Sequence, residues 1–236
     1  AENNRTLLRK NCNLLSFMKR GTQMALYGSE LSIDDSGLVL YGENVARLIR
    51  LTGKTRCSSV VKPLRRDMER LQKRYEELGT VYGGSRGTPT VAEWLLDNYI
   101  LARCEGLKAA QELRQSAKLD CEKGTPALFW LCLCLVRCGN GKVTTERCRL
   151  FFSGCQAVYV LNAKELTLLV PMLRSALISE LASLYGEGTL TDEGAVSAEH
   201  LFSSLRLIST FDFSELLEDI DKVEQLYRQD PAGVYP

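Results

Sequence analysis

The chain has 236 residues, 45% hydrophobic and 25% charged. That is enough apolar material for one large domain or two small ones with a buried core. Thirty basic and 29 acidic side chains leave a formal net charge of +1, which gives no electrostatic basis for nucleic acid or an anionic membrane surface as the main partner. The longest apolar run, Ala127 to Val136, is far shorter than the roughly 20 residues a membrane span needs. No basic, apolar and small-residue leader of the secretory kind is expected either.

Taken in chain order, nearly every long segment reads as helix. Arg5 to Leu26 carries Leu7, Leu8, Leu14, Leu15, Phe17 and Met18 on one apolar stripe. Gly28 to Gly42 is punctuated by Ser, Asp and Gly and reads as a loop, with a short extended piece at Leu38-Val39-Leu40. A short helix follows from Glu43 to Leu51. From Ser59 to Leu78, Leu64, Met68, Leu71 and Tyr75 recur at heptad-like spacing. The remaining faces are charged with both signs, as on a solvated amphipathic helix rather than a nucleic-acid surface.

The piece "GGSRG", Gly83 to Gly87, precedes a helix but lacks the Lys-Ser/Thr of a phosphate loop and the strand before a dinucleotide site. It reads as a hinge. Thr88 as N-cap and Pro89 at the first helical position then start a helix to about Ser116. Thr125-Pro126 repeats that start before Ala127 to Cys138, which ends at Gly139-Asn140-Gly141. Thr144 or Thr145 opens a helix through about Tyr159. Asn162-Ala-Lys-Glu165 is a capping box leading into Leu166 to Tyr185, where Pro171 should bend the helix or remove a hydrogen bond. Ser197 caps Ala198 to Ile208, and Asp212-Phe-Ser-Glu215 starts a last helix reaching Arg228. No period of 34 or 40 residues supports a solenoid. The expectation is an all-α, irregular domain of about eight or nine helices with little or no strand.

Chemistry is sparse. The nine cysteines are an odd number, which fits a reduced, cytoplasmic setting. Cys134 and Cys138 share a helix face near Cys132, and Cys148 and Cys155 follow, so a metal site is conceivable. Ligand knuckles favour Gly-containing turns, however, and "LFWLCLCLVRC" is a continuous apolar helix, so buried structural thiols without metal are expected. His200 is the single histidine, and "SAEHLFSSL" offers it no oriented triad. Glu218, Asp219 and Asp221 do not face one another on a helix and make poor acid–base pairs. Asp192 and Glu193 lack the alternating ligands of a calcium loop.

The segment "TPTVAEWLLDNY", Thr88 to Tyr99, closely resembles the T-P-A-A-E-W-L-L/V-D-N-F/Y stretch of cyclic β-1,2-glucan synthases, very large membrane glucosyltransferases. Further blocks follow in that family's order. The stretch beginning "PALFWLCLCLVRCGNG" is similar to its paired helices. Lys164, Glu165 and Leu166 match its G-E-L in part, and Pro171 to Arg174 match P-I-M-L-R in part. "SLRLISTFDFSELLEDIDKVEQLYRQDPAGVYP" resembles its ending in D-P-A-G-V-Y. The resemblance covers about residues 60 to 236. Phe213 stands in place of the family's usual Trp, Asp221 in place of a Ser, and a Cys-rich helix in place of an Ala/Leu-rich one, as in a distant branch. Residues 1–56, amino-terminal helices and a loop, are unmatched, and 57–236 would be the accessory module.

The resemblance implies a region lying before the transmembrane helices and glycosyltransferase domain of a larger polypeptide. That parent would polymerise glucose from UDP-glucose and sit in the inner membrane with this module on the cytoplasmic side. Its partners would be those same domains and, by extension, β-glucan. The family's nucleotide-binding aspartates and catalytic base fall outside this chain, so no catalytic residue and no cofactor is expected here. Trp94, Leu95 and Tyr99 are expected to anchor packing, and Asp97 and Asn98 to bond a neighbouring helix terminus. The functional alternative is that Trp94, Asp97 and Asn98 contact sugar or another domain. A free-standing helical interaction or regulatory domain without a carbohydrate role is the competing reading of the whole chain.

Overall fold

The computed structural model describes residues 33–82, 87–114, 117–186, 190, 194–210 and 212–221. The expected helix at 5–26, most of the Gly-rich hinge, Asp192, Glu193 and the extension toward Arg228 lie outside those residues. Among the described residues there are eight α-helices: α1 (Leu38–Leu48), α2 (Val61–Tyr82), α3 (Thr90–Glu112), α4 (Ala127–Cys138), α5 (Thr145–Cys155), α6 (Ala163–Leu184), α7 (Ala195–Thr210) and α8 (Ser214–Ile220). Three short strands, β1 (Gly53–Arg56), β2 (Lys118–Glu122) and β3 (Thr125–Pro126), form one antiparallel sheet in the order β1-β2-β3. The fold is mostly all-α, as the sequence predicts, with this small sheet as an addition.

The apolar stripes explain the packing. Leu64, Leu71 and Leu78 are the buried seam of α2, seven residues apart as the heptad-like spacing requires. Its other faces are tied by Lys73–Glu77 and Arg74–Glu77 pairs at helical spacing. The helices α2 and α3 meet where Tyr75 stacks on Tyr99, with centroids 4.3 Å apart, and where Gly106 lies against Met68. Helix α6 is the apolar centre. By length and composition it would pass for a membrane span, yet 72% of its apolar window is buried within the protein. Its start is legible in sequence: Asn162 accepts from the Lys164 and Glu165 backbone while Glu165 accepts from the Asn162 backbone, a full capping box. Pro171 lies inside this helix, and the Ser175 hydroxyl donates to its carbonyl at 2.8 Å.

The sequence reading departs from the structure in identifiable places. Leu38-Val39-Leu40 is the first turn of α1 rather than an extended piece. The reason is tertiary: a Cβ at Gly42 would meet the Phe151 carbonyl, and one at Gly154 the Val39 carbonyl, so α1 and α5 cross backbone against backbone. Glycine at position 42 thus marks a close crossing and not a turn. Pro89 and Pro126 are themselves the N-cap residues, with extended ψ and no side-chain cap bond. Thr125-Pro126 belongs to the sheet, paired with Cys121 and Glu122. Helix α3 stops at Glu112, α5 at Cys155, and α7 begins at Ala195, ahead of Ser197. Among the described residues, those from 33 to 56 pack with later ones, since β1 pairs with β2 and α1 crosses α5.

Candidate functional site

Residues of the segment Thr88 to Tyr99 meet side chains of α7 and the end of α6 at one seam. Arg206 on α7 donates from Nη2 to Asn98 Oδ1 at 2.8 Å, and Asn98 Nδ2 donates to the Trp94 carbonyl at 2.9 Å. Trp94 is half-buried and stacks on Phe202 with centroids 6.4 Å apart and planes 10° apart. Tyr185, at the end of α6, donates to the Val91 carbonyl at 2.7 Å and contacts the same Phe202. Leu95 and Tyr99 are buried. Asn98 therefore meets a side chain in the body of α7 rather than a helix terminus. Asp97 is exposed on the outer face of α3, apart from that pair.

Two turns further along α3 from Asn98, an ionic hub joins it to α6. Arg174 Nε lies 2.8 Å from Glu105 Oε2, and its Nη1 reaches both oxygens of Glu112 at 3.0 Å. Lys108 Nζ is 2.6 Å from the other Glu105 oxygen. Glu105 is only 1% exposed, so its charge is tolerable there only because two cations face it. Sequence reasoning missed this hub. The available signal was a lone Arg in the apolar run "LLVPMLRSALI" and a lone Glu before the small residue Gly106.

The other polar sites hold loops in place. Arg147 of α5 pairs with Asp35 at 2.5 Å and donates to the Ile33 carbonyl at 3.0 Å, fixing the entry to α1. Asn140 and Gly141 take positive φ after α4. There Ser204 donates to the Gly141 carbonyl at 2.7 Å and accepts from Val143 N at 2.8 Å. His200 Nδ1 lies 3.2 Å from the Asn140 carbonyl, so the single histidine belongs to this turn. Tyr159 donates to Glu165, whose other oxygen accepts from Asn162. Burial pushes the Glu165 carboxyl up from its ordinary range, against the lowering effect of those donors.

Six of the eight described cysteines are buried, Cys134 is half-buried and Cys104 is exposed. Burial pushes the Cys134 thiol up to about 11 and those of Cys138 and Cys148 to about 12, so they stay protonated and weakly nucleophilic. Among the described residues, no group of three His, Cys, Asp or Glu side chains is placed to hold a metal ion. Asp219 pairs with Arg149 at 3.0 Å across α8 and α5. What the geometry can do chemically is orient helices. No family model and no curated protein matches this chain.

Proposed function

We propose that this chain is a non-catalytic helical module of a cyclic β-1,2-glucan synthase-like glycosyltransferase that polymerises glucose from UDP-glucose. One observation carries the proposal. Side chains from separate blocks of the resemblance are partners of one another, Asn98 of the first with Arg206 of the last. Blocks whose polar residues bond across 108 positions of sequence belong to one scaffold, and they recur in the same order as in that family. The role that follows is positional: α3, α6 and α7 form a rigid frame beside the membrane and glycosyltransferase domains, on the cytoplasmic side of the inner membrane. Trp94 and Asn98 work inside that frame, with their polar and aromatic faces turned to Arg206 and Phe202 rather than to a sugar.

The coding sequence downstream of Pro236 tests the proposal. The expected result is a continuous frame encoding membrane spans and a UDP-sugar domain. A frame that closes near Pro236 would sink it.

A further inference from the structure

Helix α3 has one face that none of the described elements covers. Glu93, Asp97, Ile100, Cys104, Leu107, Lys108 and Gln111 are all exposed, and at 3.6 residues per turn they fall within an arc of roughly 100°. Ile100 is 61% and Leu107 53% exposed, among the most exposed large apolar side chains of the described residues. Cys104 lies between them and is the exposed cysteine among the described residues.

The pattern along that face has a twofold character. Ile100 and Leu107 are equidistant from the midpoint between Arg103 and Cys104, and they lie on the same side of the stripe. Asp97 and Lys108 lie on the other side, one toward each end, their distances from that same point differing by two residues, about 3 Å along the helix. A half-turn about an axis through that point, perpendicular to the helix, therefore sets Ile100 against Leu107 of a second copy. It sets Asp97 beside the second copy's Lys108. Both contacts occur twice, as an isologous interface requires. The acids occupy the amino-terminal half and the cation the carboxy-terminal half, so a parallel arrangement would oppose like charges and an antiparallel one does not.

We infer that the outer face of α3 is a homodimer interface in which two copies pair antiparallel, with Ile100 and Leu107 at its centre and Asp97–Lys108 ion pairs at its ends. Lys108 also pairs with Glu105, and its side chain is 53% exposed there. Antiparallel pairing about that point overlaps the two helices over Leu95–Glu112, a seam of roughly 26 Å at 1.5 Å per residue, which is a small interface. The dimer is accordingly weak, with Kd on the order of 10 µM. The twofold places Cys104 of each copy next to the axis.

Sedimentation velocity over a range of roughly 1–300 µM, bracketing that Kd, measures the association. Crosslinking with a short bis-maleimide in a Cys12→Ser background reports the register. The expected result is a concentration-dependent dimer that crosslinks through Cys104 and loses the crosslink in Cys104→Ser. Leu107→Asp and Asp97→Lys should each weaken association by about tenfold or more without altering the circular dichroism spectrum. A monomer throughout, or a dimer indifferent to Leu107→Asp and Asp97→Lys, would overturn the inference.

Discussion

The crossing of α1 and α5 is a sharp test of the packing, because a single methyl group probes it. A Cβ at Gly154 would press on the Val39 carbonyl oxygen and its Cα. The neighbour is backbone, so no rotamer change relieves the overlap and the helices must separate. Overpacking of this kind costs about 1–3 kcal/mol. Alanine regains up to about 1 kcal/mol of helix propensity in a helix interior, and less in the last turn where Gly154 sits. The balance is a loss of about 1–2 kcal/mol, a fall in melting temperature of roughly 2–8 °C for a domain of this size. Gly79→Ala is the matched control. Its Cβ would find only Leu96 Cδ2 at 4.0 Å, so propensity acts alone and the melting temperature should rise by roughly 1–4 °C. Gly42→Ala should behave like Gly154→Ala. Because one displacement of α1 relieves both overlaps, the double variant should lose less than the sum. Thermal melts followed by far-ultraviolet circular dichroism measure all four. A Gly154→Ala protein melting at or above the wild type would refute the close crossing.

Three further outcomes follow from the same structure. Arg174→Met should cost about 3–5 kcal/mol, since it leaves Glu105 buried with only Lys108 beside it, and a melting temperature within a degree or so of wild type would contradict the hub. Trp94→Ala should cost about 3 kcal/mol, the lower end for a large aromatic because the ring is half-buried; unchanged melting with abolished binding of β-1,2-glucan oligosaccharides would instead favour sugar contact. At mildly alkaline pH a colorimetric disulfide reagent should modify Cys104 rapidly and Cys138 and Cys148 only on unfolding, because burial holds the latter thiols near 12. Rapid modification of Cys148 in the native state would show that α5 opens.

What could be read from the sequence was local. The Asn162–Glu165 box needs only four residues, and it stands as read. The heptad-like leucines of α2 announce their face because the other faces are charged. Non-local choices were hidden. Nothing near Gly42 says that Phe151 will lie against it, so a residue that breaks helices in isolation was read as a loop. The strands "GKTR" and "KLDCE" are short and charged, without β-branched runs; "KLDCE" does alternate, with Leu119 and Cys121 buried, but over only 5 residues, and both strands exist because their backbones pair across more than 60 positions. The same holds for the candidate site. "TPTVAEWLLDNY" lies at the start of α3, and the partners of its Trp94 and Asn98 are set by how α7 lies across it. Asp97 looked equivalent to Asn98 in sequence, and one residue of helical rotation puts it on the outer face.

The positional role is tested most directly by transfer of radiolabelled glucose from UDP-glucose into β-1,2-glucan. The assay compares the purified 236-residue chain with membranes carrying the product of the whole reading frame, intact or with residues 33–221 deleted. The chain alone should transfer nothing, the intact product should make glucan, and the deletion should abolish or misdirect synthesis while the UDP-glucose site still binds nucleotide. Transfer by the isolated chain, or full glucan synthesis without residues 33–221, would contradict it.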